Sequence, residues 1–580
     1  MNPSTRLARL LVDELVRHGV REAVLAPGSR SAALALALHA ADAAGRLRLH
    51  VRVDERTAGF LALGLARGSH RPVPVVTTSG SAVAHLHPAV LEAHHSGLPV
   101  IVVSADRPAQ LRGSGANQTT EQVRLFGSAL RWSADVPADV VAEAHGAAAV
   151  AAWRAQLSRG VVAATGAASG DPGPVQLNCC FDLPLVPDAE DAAPGALEQD
   201  WAPGGRVGGR PWIHVERSAG PVAVELALGP RTVLVAGADA GPPARLLAER
   251  AGWPLIAEPT SGARTGRSAL RSGSLLLGHE PLSAEIQRVV VAGRPTLSRP
   301  VTQLLGRPDV EVVAMPTGVR WVDPGHQVSR VLPNAATVAL TGGEPGNEEW
   351  CNRWMRADEQ VSKAVDEVLA ATAATLPAGV LLGAAVARVV SEAVPPAGLL
   401  VVGSSQPIRD LDLVAAPYPV GERRLVVGNR GLAGIDGTIS TAVGMALGRP
   451  SARSLALLGD LTFLHDLSAL LLGPSEPRPD LTLVVSNDDG GSIFATLEQG
   501  EPLHHHAFER VFATPTGVDL AGLCSSTGTR HHLVRGADEL RTLLATPTVG
   551  IRVLEVAVDR AGRRDLHAAV ARETARTLAQ

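Results

Sequence analysis

SLALLGDLTFLHDLSALLLGPSEPRPDLTLVVSNDDGG, residues 454–491, is the stretch whose reading decides the fold. Ser454 to Leu458 is an apolar run of strand length, suited to a buried parallel sheet. Gly459-Asp460 ends it. Leu461 to Leu472 has helical spacing, with Phe463, Leu467, Leu470 and Leu471 on one side, and Gly473, Pro474 and Pro477 stop it. Leu481 to Val485 reads as a second strand and Ser486 to Gly491 as a polar turn. One βαβ unit therefore sets Asp460 and the Asn487-Asp488-Asp489-Gly490 turn at the carboxyl ends of two parallel strands, where open α/β sheets bind ligands.

Two oxygen-rich turns side by side suit a hard cation such as Mg²⁺, which takes carboxylate, amide and backbone oxygens and keeps room for phosphate. Asp and Asn are common in ordinary turns, so neither turn alone carries weight. Together, at this spacing, they resemble the motif of thiamine-diphosphate-dependent enzymes, Gly-Asp-Gly followed at this distance by Asn-Asn. Here the third residue is Leu461, and Asp488 stands for the second Asn when Ile493-Phe494 sets the register. The resemblance implies thiamine diphosphate with Mg²⁺ or Mn²⁺, held by Asp460, Asp488 and the Gly490 carbonyl. A slip of one residue puts Asn487 in place of Asp488.

The 580 residues allow three or four domains. At 46% hydrophobic and 19% charged the composition is that of a soluble globular protein, and a net charge of −4 suggests neither nucleic acid nor anionic membrane. No apolar run is long enough to span a bilayer, and Met1 to Leu11 lacks a signal-peptide core, so a cytoplasmic enzyme is expected. Cys179, Cys180, Cys351 and Cys524 form neither a disulfide framework nor a zinc pattern. Lys363, in the polar helical run Arg356 to Ala370, is the only lysine, which argues against Schiff-base and P-loop chemistry.

Outward from the quoted stretch, three α/β blocks appear. In the first, Leu7 to His18 is an amphipathic helix and Ala23 to Ala26 a strand, leading through Pro27-Gly28-Ser29-Arg30-Ser31 into a helix. Leu47 to Val53 alternates apolar residues with Arg48, His50 and Arg52, a strand with one polar face. Asp54 is a good N-cap for the helix Glu55 to Arg67. Val73 to Val76, Val100 to Ser104 and Pro174 to Asn178 are further strands. Leu185 to Pro211 is a linker rich in Pro, Gly, Ala and Asp. The central block opens with Val233 to Ala236 and a glycine turn, but the G-x-G-x-x-G spacing of dinucleotide sites is absent. The third block holds the quoted stretch and ends on a surface helix, Leu566 to Gln580. The fold class expected is α/β, with three doubly wound parallel-sheet domains.

That layout, with the diphosphate turn only in the third block, is similar to thiamine-diphosphate enzymes related to pyruvate decarboxylase. The resemblance implies a pyrimidine-binding domain (1–187), a central domain with its preceding linker (188–365) and a diphosphate-binding domain (366–580). It also implies a homodimer or homotetramer whose active sites are shared between subunits. Glu55 is then the glutamate that hydrogen-bonds the aminopyrimidine and drives its imino tautomer. Read alone, Glu55 is a first-turn acid complementing the helix dipole.

Within that family the strings APGSRSAALALA (26–37), VDERTAGFLALGLA (53–66), TTSGSAVAHLHPAVLEA (77–93), SADRP (104–108), GANQTT (115–120) and GNRGLAGIDGTISTAVG (428–444) resemble the transferase branch of menaquinone biosynthesis. The resemblance implies decarboxylation of 2-oxoglutarate and 1,4-addition of the resulting succinyl carbanion to isochorismate. Both substrates are dicarboxylates, which arginine forks bind well. The family's substrate residues map onto Ser29, Arg30, Arg107, Asn117, Gln118, Ser405, Arg409 and Arg430. Arg299 matches in the central block, where the family often has lysine in place of the preceding Ser298. Ser405 also touches the cofactor, and Ile435 wedges beneath it. His504-His505-His506 reads as part of a lid, since consecutive histidines do not converge on one ion. Two other readings are an acetolactate-synthase-like relative, which would not need arginines for two dicarboxylates, and a non-catalytic binding protein on a decayed enzyme fold.

Overall fold

The computed structural model describes residues 1–138, 146–188, 202, 204–216, 223–332, 337–342 and 347–579. The apolar runs of the first block become β1 (Glu22–Leu25), β2 (Arg48–Val51), β3 (Val73–Thr77), β4 (Val100–Asp106), β5 (Trp132–Pro137) and β6 (Val175–Cys180). They form one parallel sheet in the order β2-β1-β3-β4-β6-β5. Every residue of β3, β4 and β6 is buried, as strands covered by helices on both faces require. The strand order reverses between β1 and β3, so the loops after these two strands flank a crevice.

The central block contributes β7 (Ala223–Ala227), β8 (Thr232–Ala236), β9 (Leu255–Ala257), β10 (Ala269–Leu270), β11 (Arg288–Ala292), β12 (Glu311–Met315), β13 (Val328–Val331) and β14 (Thr337–Thr341). Six of these lie in the parallel order β10-β9-β8-β11-β12-β13, and β7 pairs with β14. This is the strand order of dinucleotide-binding sheets. The crevice at its switch point is filled, however. Ala238 bridges Arg294, and a Cβ on Gly237 would lie 1.9 Å from the Pro295 nitrogen, so backbone occupies the place a pyrophosphate would need.

The third block contributes β15 (Leu399–Val402), β16 (Leu425–Val427), β17 (Ser454–Gly459), β18 (Leu481–Asn487), β19 (Arg530–Val534) and β20 (Ile551–Ala557), all parallel, in the order β16-β15-β17-β18-β20-β19. Counted from its own first strand, this is the order of the first sheet. The two sheets repeat one topology, each with its crevice between its first and third strands. The α/β class with doubly wound parallel sheets expected from the sequence is what the chain adopts.

The chain divides into two compact units. One comprises Met1–Ser218, Ile439–Pro450 and Asp466–Pro479, and the other Ala219–Thr438, Ser451–His465 and Asp480–Gln580. In the second unit one apolar core spans the central and third sheets, with Trp350 and Trp354 of the long helix Asn347–Ala373 in it, and a separate cluster around Leu234, Leu247 and Trp253 lies within the central block.

Three sequence expectations change. The helix expected over Leu461 to Leu472 is a short α-helix, Asp460–His465, followed by a 3₁₀ turn, Leu467–Leu470. It breaks at Asp466, whose carboxylate turns to accept from the amide (2.6 Å) and hydroxyl (2.9 Å) of Ser440. The polar face of β2 is solvated only at Arg48, which is exposed. His50 is buried against Glu22 at 2.7 Å, and Arg52 is buried against Glu476 at 2.9 Å, which also accepts from the Val51 amide and so covers the sheet edge. The C-terminal helix, Arg563–Leu578, is no mere surface helix, since it buries Arg563, Leu566, Val570 and Thr574. Part of the expected linker, with Gln580, lies outside the described residues; its 204–211 part runs along the first unit, where Arg17 donates to the Arg206 carbonyl at 2.9 Å, and just past it the Trp212 amide donates to Glu14 at 2.6 Å.

Candidate active site

β17 and β18 run in register through Gly459↔Ser486, so the residues that follow them emerge side by side. Asp460 opens the helix Asp460–His465 and is only 4% exposed. Burial pushes its carboxyl up to about 7, and the negative charge of Asp488 pushes the same way; the Leu461 and Gly490 amides oppose both. Asp488 is raised too, first by burial, with the Ser492 hydroxyl and the Arg563 and Arg560 guanidinium groups opposing. Asn487 is committed elsewhere. Its amide donates to Glu555 at 2.6 Å, and its oxygen accepts from the Asp489 amide at 3.0 Å. Gly490 has φ +147°, and a Cβ there would lie 2.5 Å from the Ala513 carbonyl oxygen, so no other residue fits. The turn is anchored from outside: Asp489 accepts from the Thr516 and Gly517 amides at 3.0 Å.

Asp460 is buried and Asp488 half-buried, and both carboxyls are held above their usual range despite the arginines facing Asp488, so ionising both is costly and a cation beside them would remove that cost. Two carboxylates plus a backbone oxygen, with room for phosphate oxygens, is a hard-cation donor set. The residues present fit a divalent ion, with Asp488 rather than Asn487 available to it.

Ser405 follows β15 on the other side of the crevice. It holds φ +71° and ψ −128°, a conformation costly for a residue with a side chain and common where a site over-determines the backbone. Its carbonyl accepts from Arg409 at 2.7 Å. Arg409 and Arg299 both line a cleft of about 540 Å³, together with Gln406, Leu297, His567 and Arg563. Arg409 is exposed at one side, yet desolvation by the protein around it, and then the charge of Arg430, hold its pKa below its usual value. Arg430 is 3% exposed and donates to the Ser404 hydroxyl (3.3 Å) and the Thr296 hydroxyl (2.7 Å). Ile435 is half-buried in the loop ahead of the helix Thr438–Gly448.

In the first unit, Ser29 and Arg30 follow β1, Arg107 follows β4 and meets Gln118 beside Ser79, and Glu55 opens the helix after β2. Ser29 and Arg30 form a single 3₁₀ turn after β1. Arg30 donates to the Phe181 carbonyl at 3.0 Å, and burial and then Arg107 lower its pKa. Arg107 donates to Ser79 Oγ and to the Gln118 carbonyl, both at 2.7 Å. Gln118 has φ +54°, and its amide returns to the Ser79 carbonyl at 3.0 Å. Asn117 beside it is exposed. Glu55 is the half-buried first residue of the helix Glu55–Ser69, whose N-cap is Asp54, accepting from the Arg56 amide at 2.9 Å.

Residues 5–125 match the family model of the thiamine pyrophosphate enzyme N-terminal TPP-binding domain. The chain is 50% identical to the 2-succinyl-5-enolpyruvyl-6-hydroxy-3-cyclohexene-1-carboxylate synthase of Nocardioides sp. over 97% of its length and 96% of that protein's. It is 50% identical to the synthase of the same name from Kineococcus radiotolerans, over 97% of both chains. The corresponding synthase of Mycolicibacterium smegmatis is 45% identical, over 98% of this chain and 99% of its own. The chain belongs to the 2-succinyl-5-enolpyruvyl-6-hydroxy-3-cyclohexene-1-carboxylate synthase family. Thiamine diphosphate is accordingly its cofactor and small molecules are its substrates. Among the described residues no helix is long and apolar enough to cross a membrane.

Sequence reading missed several groups that hold the predicted arginines, or the turns beside them, in place. Ser79, fully buried, receives Arg107; it stands at a strand end in the quoted TTSGS string, which was a usable signal. Gln122, also fully buried, accepts from the Gly80 amide and donates to Asn178 and Ala105. No pattern marks a glutamine for such burial. Ser404 and Thr296 hold Arg430, and the buried pair Asp410–Arg563, at 2.7 Å, places the positive charge that faces Asp488.

Proposed function

We propose that the chain joins 2-oxoglutarate to isochorismate, forming 2-succinyl-5-enolpyruvyl-6-hydroxy-3-cyclohexene-1-carboxylate with loss of CO₂, as a cytoplasmic enzyme of menaquinone biosynthesis. The observation that carries the site assignment is the pair of buried Asp460 and half-buried Asp488 at the ends of adjacent strands. In this reading Asp460, Asp488 and the Gly490 carbonyl hold Mg²⁺ or Mn²⁺ against the diphosphate. Ser405 and Ile435 contact the cofactor, and Glu55 hydrogen-bonds its aminopyrimidine. Residues 1–187 form the pyrimidine-binding domain, 188–365 the central domain and 366–580 the diphosphate-binding domain, in a homodimer or homotetramer.

When bound, thiamine diphosphate supplies the electron sink that side chains cannot. The chain's own residues orient substrates and hold protons. The Glu55 carboxyl would hold a proton against the aminopyrimidine ring and so favour the tautomer that can accept one. Ser29, Arg30, Arg107, Asn117 and Gln118, with Arg299, Ser405, Arg409 and Arg430, bind the carboxylates and hydroxyls of the two substrates. Paired guanidinium groups, Arg30 with Arg107 and Arg409 with Arg430, suit dicarboxylates. An acetolactate-synthase-like use of pyruvate would leave them without purpose.

Mass spectrometry of the product from 2-oxoglutarate plus isochorismate, with thiamine diphosphate and Mg²⁺, tests the proposal. The expected product carries the succinyl group on the intact ring. Consumption of pyruvate in preference to 2-oxoglutarate, or no carbon–carbon bond, would overturn it.

A further inference from the structure

Glu258 follows β9 at the carboxyl edge of the central sheet and is 4% exposed. One carboxylate oxygen, Oε1, accepts from two consecutive amides, Thr296 at 2.8 Å and Leu297 at 2.7 Å. Those residues lie between β11 and the helix Arg299–Leu305, so a single oxygen fixes the loop that delivers Arg299. The same loop presents the Thr296 hydroxyl to Arg430 at 2.7 Å. The other oxygen, Oε2, is buried without a hydrogen-bond partner among the described residues.

A buried carboxylate with one oxygen unbonded is costly. Holding two amides does not require it, since a neutral carbonyl would serve. The charges facing Glu258 explain why a carboxylate can stand there. Arg430 favours its ionised form, Asp412 disfavours it, and Arg409 feels its field; Asp412 is itself paired with Arg264 at 2.9 Å. Burial is the larger effect and pushes the Glu258 carboxyl up to about 7.

We propose that Glu258 is a positioning residue for the substrate arginine Arg430, acting through the Thr296–Leu297 loop. The proposal rests on the substrate-binding role given to Arg430 above. Glu258 touches no substrate. It sets where the Thr296 hydroxyl stands, and that hydroxyl sets the plane of the guanidinium that receives a substrate carboxylate. Losing the two amide contacts frees the loop, misplaces Arg430 and weakens substrate binding without disabling the cofactor.

The test compares Glu258→Ala, Glu258→Gln, Arg430→Ala and the double variant Glu258→Ala/Arg430→Ala in the full-length holoenzyme, with thiamine-diphosphate affinity measured alongside. Glu258→Ala is expected to raise the KM of one of the two carboxylic substrates at least tenfold, with kcat and cofactor affinity within about threefold of the parent. Glu258→Gln, which keeps an acceptor for both amides, should restore KM to within about threefold. In the Arg430→Ala background Glu258→Ala should add little, because its target is gone. Independent, multiplying effects of the two substitutions overturn the proposal, as does a Gln variant as poor as the Ala variant. If Glu258→Ala does not fold, the Gln variant alone decides: a tenfold or larger KM increase in a folded, cofactor-binding protein overturns the proposal, and parent-like KM supports it. Arg430→Ala with unchanged KM for both substrates overturns the substrate role of Arg430 itself, and this inference with it.

Discussion

A Cβ on Gly64 would lie 2.3 Å from the carbonyl oxygen of Thr441, so these two residues meet backbone to backbone. The contact is reciprocal. A Cβ on Gly444 would lie 2.5 Å from the Leu61 carbonyl oxygen, and Gly68 and Gly448 make the next turn of the same seam. Two helices, Glu55–Ser69 and Thr438–Gly448, thus touch through glycines four apart on each. The first begins with Glu55, and the second follows the Ile435 loop.

Gly64→Ala is therefore expected to destabilise the protein. The added methyl gains about 1 kcal/mol of helix propensity. It must also push two backbones apart, and such overpacking costs about 1–3 kcal/mol. A lower unfolding temperature than the parent, with Gly229→Ala as a control where a Cβ meets nothing within 4 Å, is the expected result. A Gly64→Ala protein as stable as the control would mean the helices separate freely.

If Asp460 holds the metal as proposed, it should link cofactor binding to pH. Its carboxyl stands at about 7 in the folded protein, above the unfolded value of about 3.9. Folding thus favours the protonated form. That contribution to stability is fully present below about pH 4 and is lost as pH rises through about 7. A divalent cation needs the ionised form, so it competes with this proton. Mg²⁺-dependent affinity for thiamine diphosphate should therefore rise between pH 6 and pH 8, by up to about tenfold per unit for a one-proton exchange. Asp460→Ala should abolish the Mg²⁺ dependence in calorimetry, while Asn487→Ala should retain it. Unchanged affinity in Asp460→Ala, with or without Mg²⁺, would remove Asp460 from the metal site.

The strands and their polar ends were legible because buried parallel strands are written as short apolar runs bounded by turns. β17 and β18 differ from their sequence reading only at their last residues. The helix after Asp460 was misread because its break depends on a distant partner: Asp466 turns to Ser440, and no local signal announces that. The burial of Arg52 depends likewise on Glu476, more than four hundred residues away. Arg30, Arg107 and Arg430 stood out because their strings are distinctive. The groups that orient them, Ser79, Thr296 and Glu258, are ordinary residues whose role comes only from what the fold brings beside them.

Glu55→Gln keeps the size of the side chain and leaves Asp54 to cap the helix, so the variant should fold with a parent-like unfolding temperature. Turnover should fall by about 10²–10⁴-fold, the span typical of acid–base assistance. The loss belongs in kcat rather than in KM for either substrate. Near-normal turnover would return Glu55 to the role of a first-turn acid beside the helix dipole.

In the proposed site, substitutions of Arg107 and Arg409 should separate the two halves of the reaction. Donor and acceptor are both anions and are used in sequence, so contacts to one need not affect the other. Arg107 is braced by Ser79 and Gln118, and Arg409 by the Ser405 carbonyl, so truncating either removes a placed charge rather than a core side chain. Arg107→Ala and Arg409→Ala should each raise the KM for isochorismate. Losing a charge-assisted bond to a carboxylate costs about 1.5–3 kcal/mol, or roughly ten- to a hundredfold. CO₂ release from 2-oxoglutarate without isochorismate should change far less, because that step precedes the acceptor. An equal fall in both half-reactions would instead place these arginines on the donor or the cofactor. No change in either would leave them as surface charges, and the case for a dicarboxylate acceptor would lose its main physical support.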